Sequence, residues 1–430
     1  MGKTILPKDQ VYWYTLKKPS LQQKLTTDIQ VDVAIIGGGA AGLAAAHSFR
    51  AQGLSVALLE KEFCGAGASG KSSGFISPDS ELEAENFISH WGLSGAQKLW
   101  DFSLSGCAAL ERTILDYGIE CDYQKQDTLF IATNNWGAQE VTREHKARLK
   151  LDYESHLYAQ QELPHIIQSS YYKNAVRDSS TFGIIAYLYC QGLKDVLANL
   201  GVQIYENTPA LSIDNHTIAT PHATINAEYI IVAVDRFLPE FNYNTLDIYH
   251  AQTFLMASKP LSDDQVLNIF PEKKLMITDT ELVFNYFRIV DTNRLLLGGG
   301  SITSTYSKEA NHHASHVYHK LMRYIDAVFP HIRLEFEYMW PGLIGITKDL
   351  LPLAEPDPKY PHIYYIAGAT GLAWATALGN YSAQRLLNNR TDMDAYFSSS
   401  RNFGVNHALQ HIIGTPASFA LGNFINKYLK

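Results

Sequence analysis

The clearest apolar pattern in the chain is V-D-V-A-I-I at 31–36, a short run ending in Gly37-Gly38-Gly39-Ala40-Ala41-Gly42, then L-A-A-A-H-S-F-R and S-V-A-L-L-E. The runs at each end have the unbroken Val/Ile/Leu character of strands buried on both faces, and the Ala-rich stretch between them has the length of a helix. This predicts strand, glycine turn, helix, strand. Further on, 81–120 and the charged stretch 138–162 alternate acids with apolar positions and predict helices, with D-T-L-F-I-A-T at 127–133 a strand between them. Residues 193–213 predict a helix stopped at Gly201, then strand, turn and strand, and E-Y-I-I-V-A-V at 228–234 another buried strand. From 240 to 335 the pattern becomes that of alternating strands, which predicts an antiparallel sheet. H-I-Y-Y-I-A before Gly368 and an Ala-rich stretch after it repeat the strand, small-residue turn, helix signature of the N-terminal region.

The first glycine run carries chemistry. Gly37 permits a tight turn, Gly39 lets backbone approach a pyrophosphate, and Gly42 allows the helix to pack closely on the strand. The helix N-terminus, beginning at Ala40 and Ala41, presents unpaired N–H groups and the positive end of its dipole to an anion. Glu60 ends the second strand where an acceptor for a ribose hydroxyl belongs, with Lys61 beside it, and an acid there argues against a 2′-phosphate. The small residues and hydroxyls from Gly65 to Ile76, among them Gly67, Ala68, Ser69, Lys71, Ser72 and Ser73, would let main chain lie against a flat or phosphorylated ligand.

Length and composition narrow the class. A chain of 430 residues exceeds one ordinary core, so two packed domains are expected. With 35 Lys and Arg against 43 Asp and Glu, the net charge of −8 gives no reason to expect a nucleic-acid partner. Cys64, Cys107, Cys121 and Cys190 are scattered, which predicts neither a metal site nor a disulfide framework. No signal-peptide core is evident, and no run approaches the roughly 18 apolar residues of a membrane span. A cytoplasmic location is therefore expected.

These motifs resemble the D-amino acid oxidase superfamily of FAD-dependent amine oxidoreductases, whose second loop commonly reads G-A-S-G-R-N-x-G where this chain has G-A-S-G-K-S-S-G. Within it the Y-W near the start, N-Y-F-R, N-R-L-L-L-G-G-G and W-P-G-L-I-G-I-T are most similar to gamma-glutamylputrescine oxidase-like proteins. The resemblance implies an α/β fold, a Rossmann-type FAD-binding domain with an inserted antiparallel-sheet substrate domain. It divides the chain into a leader (1–30), an FAD-binding domain (31–80, 151–239 and 336–400), a substrate domain (81–150 and 240–335) and a tail (401–430). Ala210 would meet the adenine through its backbone. Gly342, Gly345 and Thr347, together with Gly368, Thr370, Gly371, Leu372 and Ala373, would form a second cradle at the flavin ring, which a chain binding only NAD would not need.

Departures from the family pattern matter. Leu372 and Ala373 stand where the cradle often has His and Gly, Ala375 stands at the carboxylate-binding Lys of sarcosine-oxidase-like relatives, and the W-P-G block lacks their tethering Cys. Non-covalent FAD follows, with hydride transfer from the carbon beside an amine nitrogen to flavin N5. The expected partners are a small amine or amino acid, with a gamma-glutamylputrescine-like amine favoured, and oxygen or another electron acceptor. A D-amino acid or hydroxy acid dehydrogenase serving a membrane acceptor, and a non-catalytic flavin-binding protein, remain alternatives. No catalytic side chain stands out. Tyr286 and Arg288, at alternate positions of one predicted strand, are candidates to orient the substrate, and a structural role is their competing assignment. The apolar tail could pack on the body or touch a membrane peripherally.

Overall fold

The computed structural model describes residues 6–79, 81–243, 246–281, 283–301, 305–306 and 314–428. The first five residues of the leader, the last two of the tail and parts of 240–335 lie outside the described residues. The fold is built on two large sheets. In the first, Ile29–Ile36 lies between Thr224–Val232 and Val56–Leu59, all parallel, with Gln203–Tyr205 beyond. Ile363–Ala367 adds parallel to Thr224–Val232. Alternate residues of these strands enter two cores: Val33, Ile35, Val56 and Leu58 face the helices, while Ala34, Ile36, Ala57 and Leu59 face the opposite layer. A strand covered on both faces must be apolar throughout, which is the pattern seen in the sequence.

The second sheet runs Lys8–Asp9, Phe336–Ile346, Tyr249–Pro260, Arg294–Gly299, Tyr286–Val290, Met276–Asp279, Thr128–Ile131, Ala175–Asp178, His156–Tyr158. Its inner strands are antiparallel, as expected, but Lys8–Asp9 joins Tyr338–Met339 and Met276–Asp279 joins Thr128–Ile131 in parallel. The helix Ser315–Val328 covers one face with Val317, Leu321, Ile325 and Val328. The other face turns toward the first sheet and packs Leu255, Val290, Leu296 and Trp340 against Tyr12, Trp13, Ile185 and Tyr187.

Several boundaries differ from the expected division. His156–Tyr158 and Ala175–Asp178 belong to the second sheet rather than to the returning FAD-binding segment, because Ala175–Asp178 pairs with Thr128–Ile131 across a long separation in sequence. The helix expected to reach 162 stops at Lys150, and the chain reverses through Asp152 at φ 50°. The helix Ala84–Tyr117, kinked at Gly92, packs Phe87 and Phe102 against Trp374 and so joins the core of the first domain. In the leader, Trp13 is fully buried and meets Trp340 edge-on at 5.5 Å. The tail helix Thr415–Tyr428 packs on the body through Phe419 and Asn423, while Leu409, Ile412, Leu421 and Phe424 of the tail are exposed. Among the described residues no helix is long and apolar enough to cross a membrane.

Arg288 fastens the second sheet to the second loop and to the segment after Phe182–Gly183. Its guanidinium is wholly buried and donates from Nε to Ser73 O (3.0 Å), from Nη1 to Gln126 Oε1 (3.2 Å) and from Nη2 to Ile184 O (2.5 Å). It fits because Gly74 and Gly183 leave room: an added Cβ would come 3.2 Å from Nη2 and 2.5 Å from Nη1, respectively. Burial lowers its pKa to about 10, against the opposing charge of Asp122. Arg288→Ala would leave two buried carbonyls and an amide without their donor, so a loss on the order of 3 kcal/mol is expected. Thermal melting should show a clear drop in Tm. An unchanged Tm would mean that the guanidinium does not hold these segments to the sheet.

Candidate active site

The glycine turn after Ile29–Ile36 is shaped by backbone contacts that exclude side chains. Gly37 has φ +108°, and an added Cβ would lie 2.2 Å from Ala233 O; at Gly42 it would lie 1.9 Å from Gly37 O. The turn therefore brings the N-terminus of the helix Ala40–Ala51 against the end of its strand. No side chain of Gly39 can cap this helix, but Ser69 Oγ of the second loop accepts from Ala40 N at 3.0 Å. Gly65 N bonds Gly38 O at 2.9 Å, and Trp340 Nε1 bonds Lys71 O at 3.1 Å. The second loop is thus joined to the first turn at one end and to the second sheet at the other.

Glu60 serves this turn as well as facing the space beyond it. One carboxylate oxygen accepts from Gly38 N at 2.8 Å and the other from Glu62 N at 2.9 Å. Burial raises its pKa, and the two backbone donors act in the opposite direction. Each oxygen retains acceptor capacity for a hydroxyl.

The second cradle is a helix start of the same kind. Gly371, at φ 92°, precedes Leu372–Asn388 without a side-chain cap. Both helix starts open on one cavity of about 620 Å³. Of the sequence candidates, Gly37, Gly39, Ala40, Ala41, Glu60, Lys61, Gly67, Ala68, Ser69, Lys71, Ser72, Ala210, Thr370, Gly371 and Leu372 line it. Ser72 Oγ and Thr370 Oγ1 are buried at its wall with no partner, a condition that a polar ligand would relieve. Two open helix ends, an acid positioned for a ribose and two orphaned hydroxyls fit an elongated dinucleotide with a flat, electron-rich ring at one end.

The other candidates lie behind the wall. Gly42 packs the first helix, Ser73 O accepts from Arg288, and Gly342 pairs with Thr253 in the second sheet. The Thr347 hydroxyl is engaged by Asp349 (2.8 Å) and Leu351 O (2.7 Å), and Ala373 O faces Gly106. Tyr286 stacks edge-on with Phe75 at 5.8 Å, and neither it nor Arg288 is part of the cavity lining. Gly345 and Gly368 are held by a residue that the sequence patterns do not mark, Asp235. At φ 51° its carboxylate accepts from Gly345 N at 2.7 Å and Gly368 N at 3.1 Å, while burial raises its pKa. A signal for it did exist: its strand runs parallel to Ile29–Ile36, with Ala233 N bonded to Ile36 O, so Asp235 emerges at the same carboxyl edge as the glycine turn. The next residues form a cationic stack, with Lys61 and Arg236 over the Phe237 ring at 3.3 and 3.9 Å. Glu81 also lines the cavity without having been marked.

Comparison with known proteins agrees with this geometry. A probable oxidoreductase, OrdL, of Haemophilus influenzae is 27% identical over 375 residues, 84% of this chain and 83% of the relative. A gamma-glutamylputrescine oxidoreductase of Escherichia coli is 26% identical, covering 81% of each chain. Among solved structures, glycine oxidase from Geobacillus kaustophilus superposes with a TM-score of 0.74 at 20% identity over 87% of this chain and 99% of that one. L-proline dehydrogenase from P. horikoshii gives 0.72 at 15% identity over 87% of this chain and 96% of that one. The DAO pattern, described as FAD dependent oxidoreductase, matches residues 32–385. With both helix ends, Glu60 and the orphaned hydroxyls inside that span and facing one cavity, the chain belongs to the DAO family of FAD-dependent oxidoreductases, and FAD is its cofactor.

Proposed function

We propose that this FAD-dependent oxidoreductase of amines or amino acids oxidises the C–N bond of a small primary or secondary amine, of gamma-glutamylputrescine type, with oxygen or another acceptor recovering the electrons. The observation that carries this assignment is the use of Arg288. Arg288, the cation that the sequence offers on this sheet for a carboxylate beside the reacting nitrogen, is instead occupied by Ser73 O, Gln126 and Ile184 O. The similarity to a gamma-glutamylputrescine oxidoreductase supports it further.

When bound, FAD supplies the acceptor for a hydride leaving the carbon beside the nitrogen. The chain's residues supply position and environment. Gly39, Ala40 and Ala41 at the first helix start would hold the pyrophosphate, and Gly371 and Leu372 at the second would hold the electron-rich side of the ring. Asp235 keeps the second cradle rigid by tying Gly345 to Gly368. Trp340, Leu372 and Ala375 line the same cavity and would give the ring end apolar walls that exclude water. The substrate loses a hydride as an iminium forms, and water then yields the carbonyl product and the free amine or ammonia. No cavity side chain needs to take a proton from carbon, since an amine bound in its neutral form loses hydride directly.

Three outcomes are expected. The purified protein is yellow and releases all its FAD on acid or heat denaturation, since neither Cys nor His occurs among the residues lining the cavity; flavin that stays with the precipitated chain would show a covalent tether. Glu60→Gln folds but binds FAD about 1 to 3 kcal/mol more weakly, because hydrogen bonds to a charged acceptor lie in that range; an unchanged Kd in a flavin titration would confine Glu60 to supporting the turn. Under anaerobic conditions, amines bleach the flavin faster than α-amino acids or hydroxy acids do. Preferential reduction by hydroxy acids would reverse the substrate assignment, and no reduction by any of the three classes would favour a binding protein without turnover.

A further inference from the structure

Charge is unevenly distributed along the cavity. The cations Lys61, Lys71 and Arg236 gather at the nucleotide end and are matched there by acids: Glu62 acts on Lys71, and Asp235, Glu240 and Glu62 act on Arg236. Glu81 stands apart from this group. It lines the same cavity as Leu372 and Ala375 of the second cradle, and its charge acts on Tyr286 and Tyr306. Among the described residues its carboxylate takes part in no hydrogen bond or close ion pair, and only Lys427 opposes its burial.

The backbone around Glu81 is held from both sides. Ahead of it, Ser103 Oγ donates to Pro78 O at 2.6 Å and Arg148 Nη2 donates to Asp79 at 3.0 Å. After it, Glu83 caps the helix Ala84–Tyr117 and pairs with Lys427 at 3.4 Å. Lys427, on the buried side of the tail helix, is acted on by Glu83, Glu81 and Glu140 together, so three carboxyl groups share one ammonium, while burial raises the pKa of Glu81 and Glu83. A carboxylate fixed at a cavity wall beside phenol rings, with its nearest cation shared among three acids, is suited to a cationic guest.

We propose that Glu81 is the anionic anchor of the substrate pocket, receiving the ammonium group of a cationic amine, whose proton passes to the carboxylate before the neutral amine is oxidised. This inference rests on the amine-oxidoreductase assignment above and names the residue that would impose it.

The test is ligand binding to the holoenzyme, followed by the flavin absorbance change and by calorimetry, with n-butylammonium, 1-butanol and butyrate as probes. The wild type should bind butylammonium at least about 10-fold more tightly than 1-butanol, and Glu81→Gln should weaken butylammonium about 10- to 100-fold while retaining FAD and leaving 1-butanol unchanged. Glu83→Gln, which removes the closer partner of Lys427 without changing the cavity wall, should keep the preference for the cation. Equal binding of butylammonium and 1-butanol by the wild type, an unchanged butylammonium Kd in Glu81→Gln, or equal losses in Glu81→Gln and Glu83→Gln would each overturn the assignment. Calorimetry reads the anchor without a flavin signal, so a wild type that discriminates butylammonium yet is not reduced by amines would defeat the parent assignment and leave Glu81 as a cation site.

Discussion

The close crossing of two helices governs the rest of the structure. An added Cβ on Gly379 would lie 2.3 Å from Ala41 O, so the helix Leu372–Asn388 and the helix Ala40–Ala51 meet backbone to backbone. Their starts can then face one cavity, and two partial positive charges converge where a single helix would provide one. Both starts are glycines without side-chain caps of their own, which leaves their N–H groups open to the cavity. The first start borrows Ser69 from the second loop, and the second leaves Thr370 without a partner. A charged, elongated cofactor completes both, so binding and local order are expected to be linked.

The buried charges of the molecule act as fasteners around that cavity. Asp235 joins two turns through their amides, and Arg288 joins the second loop to the sheet above it through their carbonyls. Arg148 does the same at the far side, meeting Glu144 at 2.7 Å and Asp79 at 3.0 Å. Removing one member of such a set leaves the others unpaired in a poorly solvated place, so each is more sensitive to substitution than its charge alone would suggest. Rigidity here shapes the cavity: Asp235 lines it while tying two turns together, and Arg288 and Arg148 hold the surrounding segments from behind the wall.

Much of the nucleotide-binding half was legible in the sequence because its signals are local. An unbroken apolar run, a glycine turn and an Ala-rich helix are consecutive in the chain, and each constrains the next. The cavity residues from Gly37 to Ser72 and those of the second helix start belong to such runs. Boundaries were less legible wherever membership depended on pairing between distant segments. Ala175–Asp178 is only four residues long and is assigned to the second sheet by its partner Thr128–Ile131, which a sequence window does not include.

The sequence by itself determined the fold family, the cofactor and the turn that receives it, since glycine spacing and helix starts are properties of contiguous residues. Only the tertiary structure decided which polar side chains face the cavity. Arg288 lies on the strand where the pattern put it, but its guanidinium points into a slot between Gly74 and Gly183 and is taken up there. Asp235 and Glu81 follow no motif, and they reach the cavity wall because separate segments converge there. Periodicity specifies the face of an element, whereas the partner of a buried charge is set by whichever distant segment packs against that face.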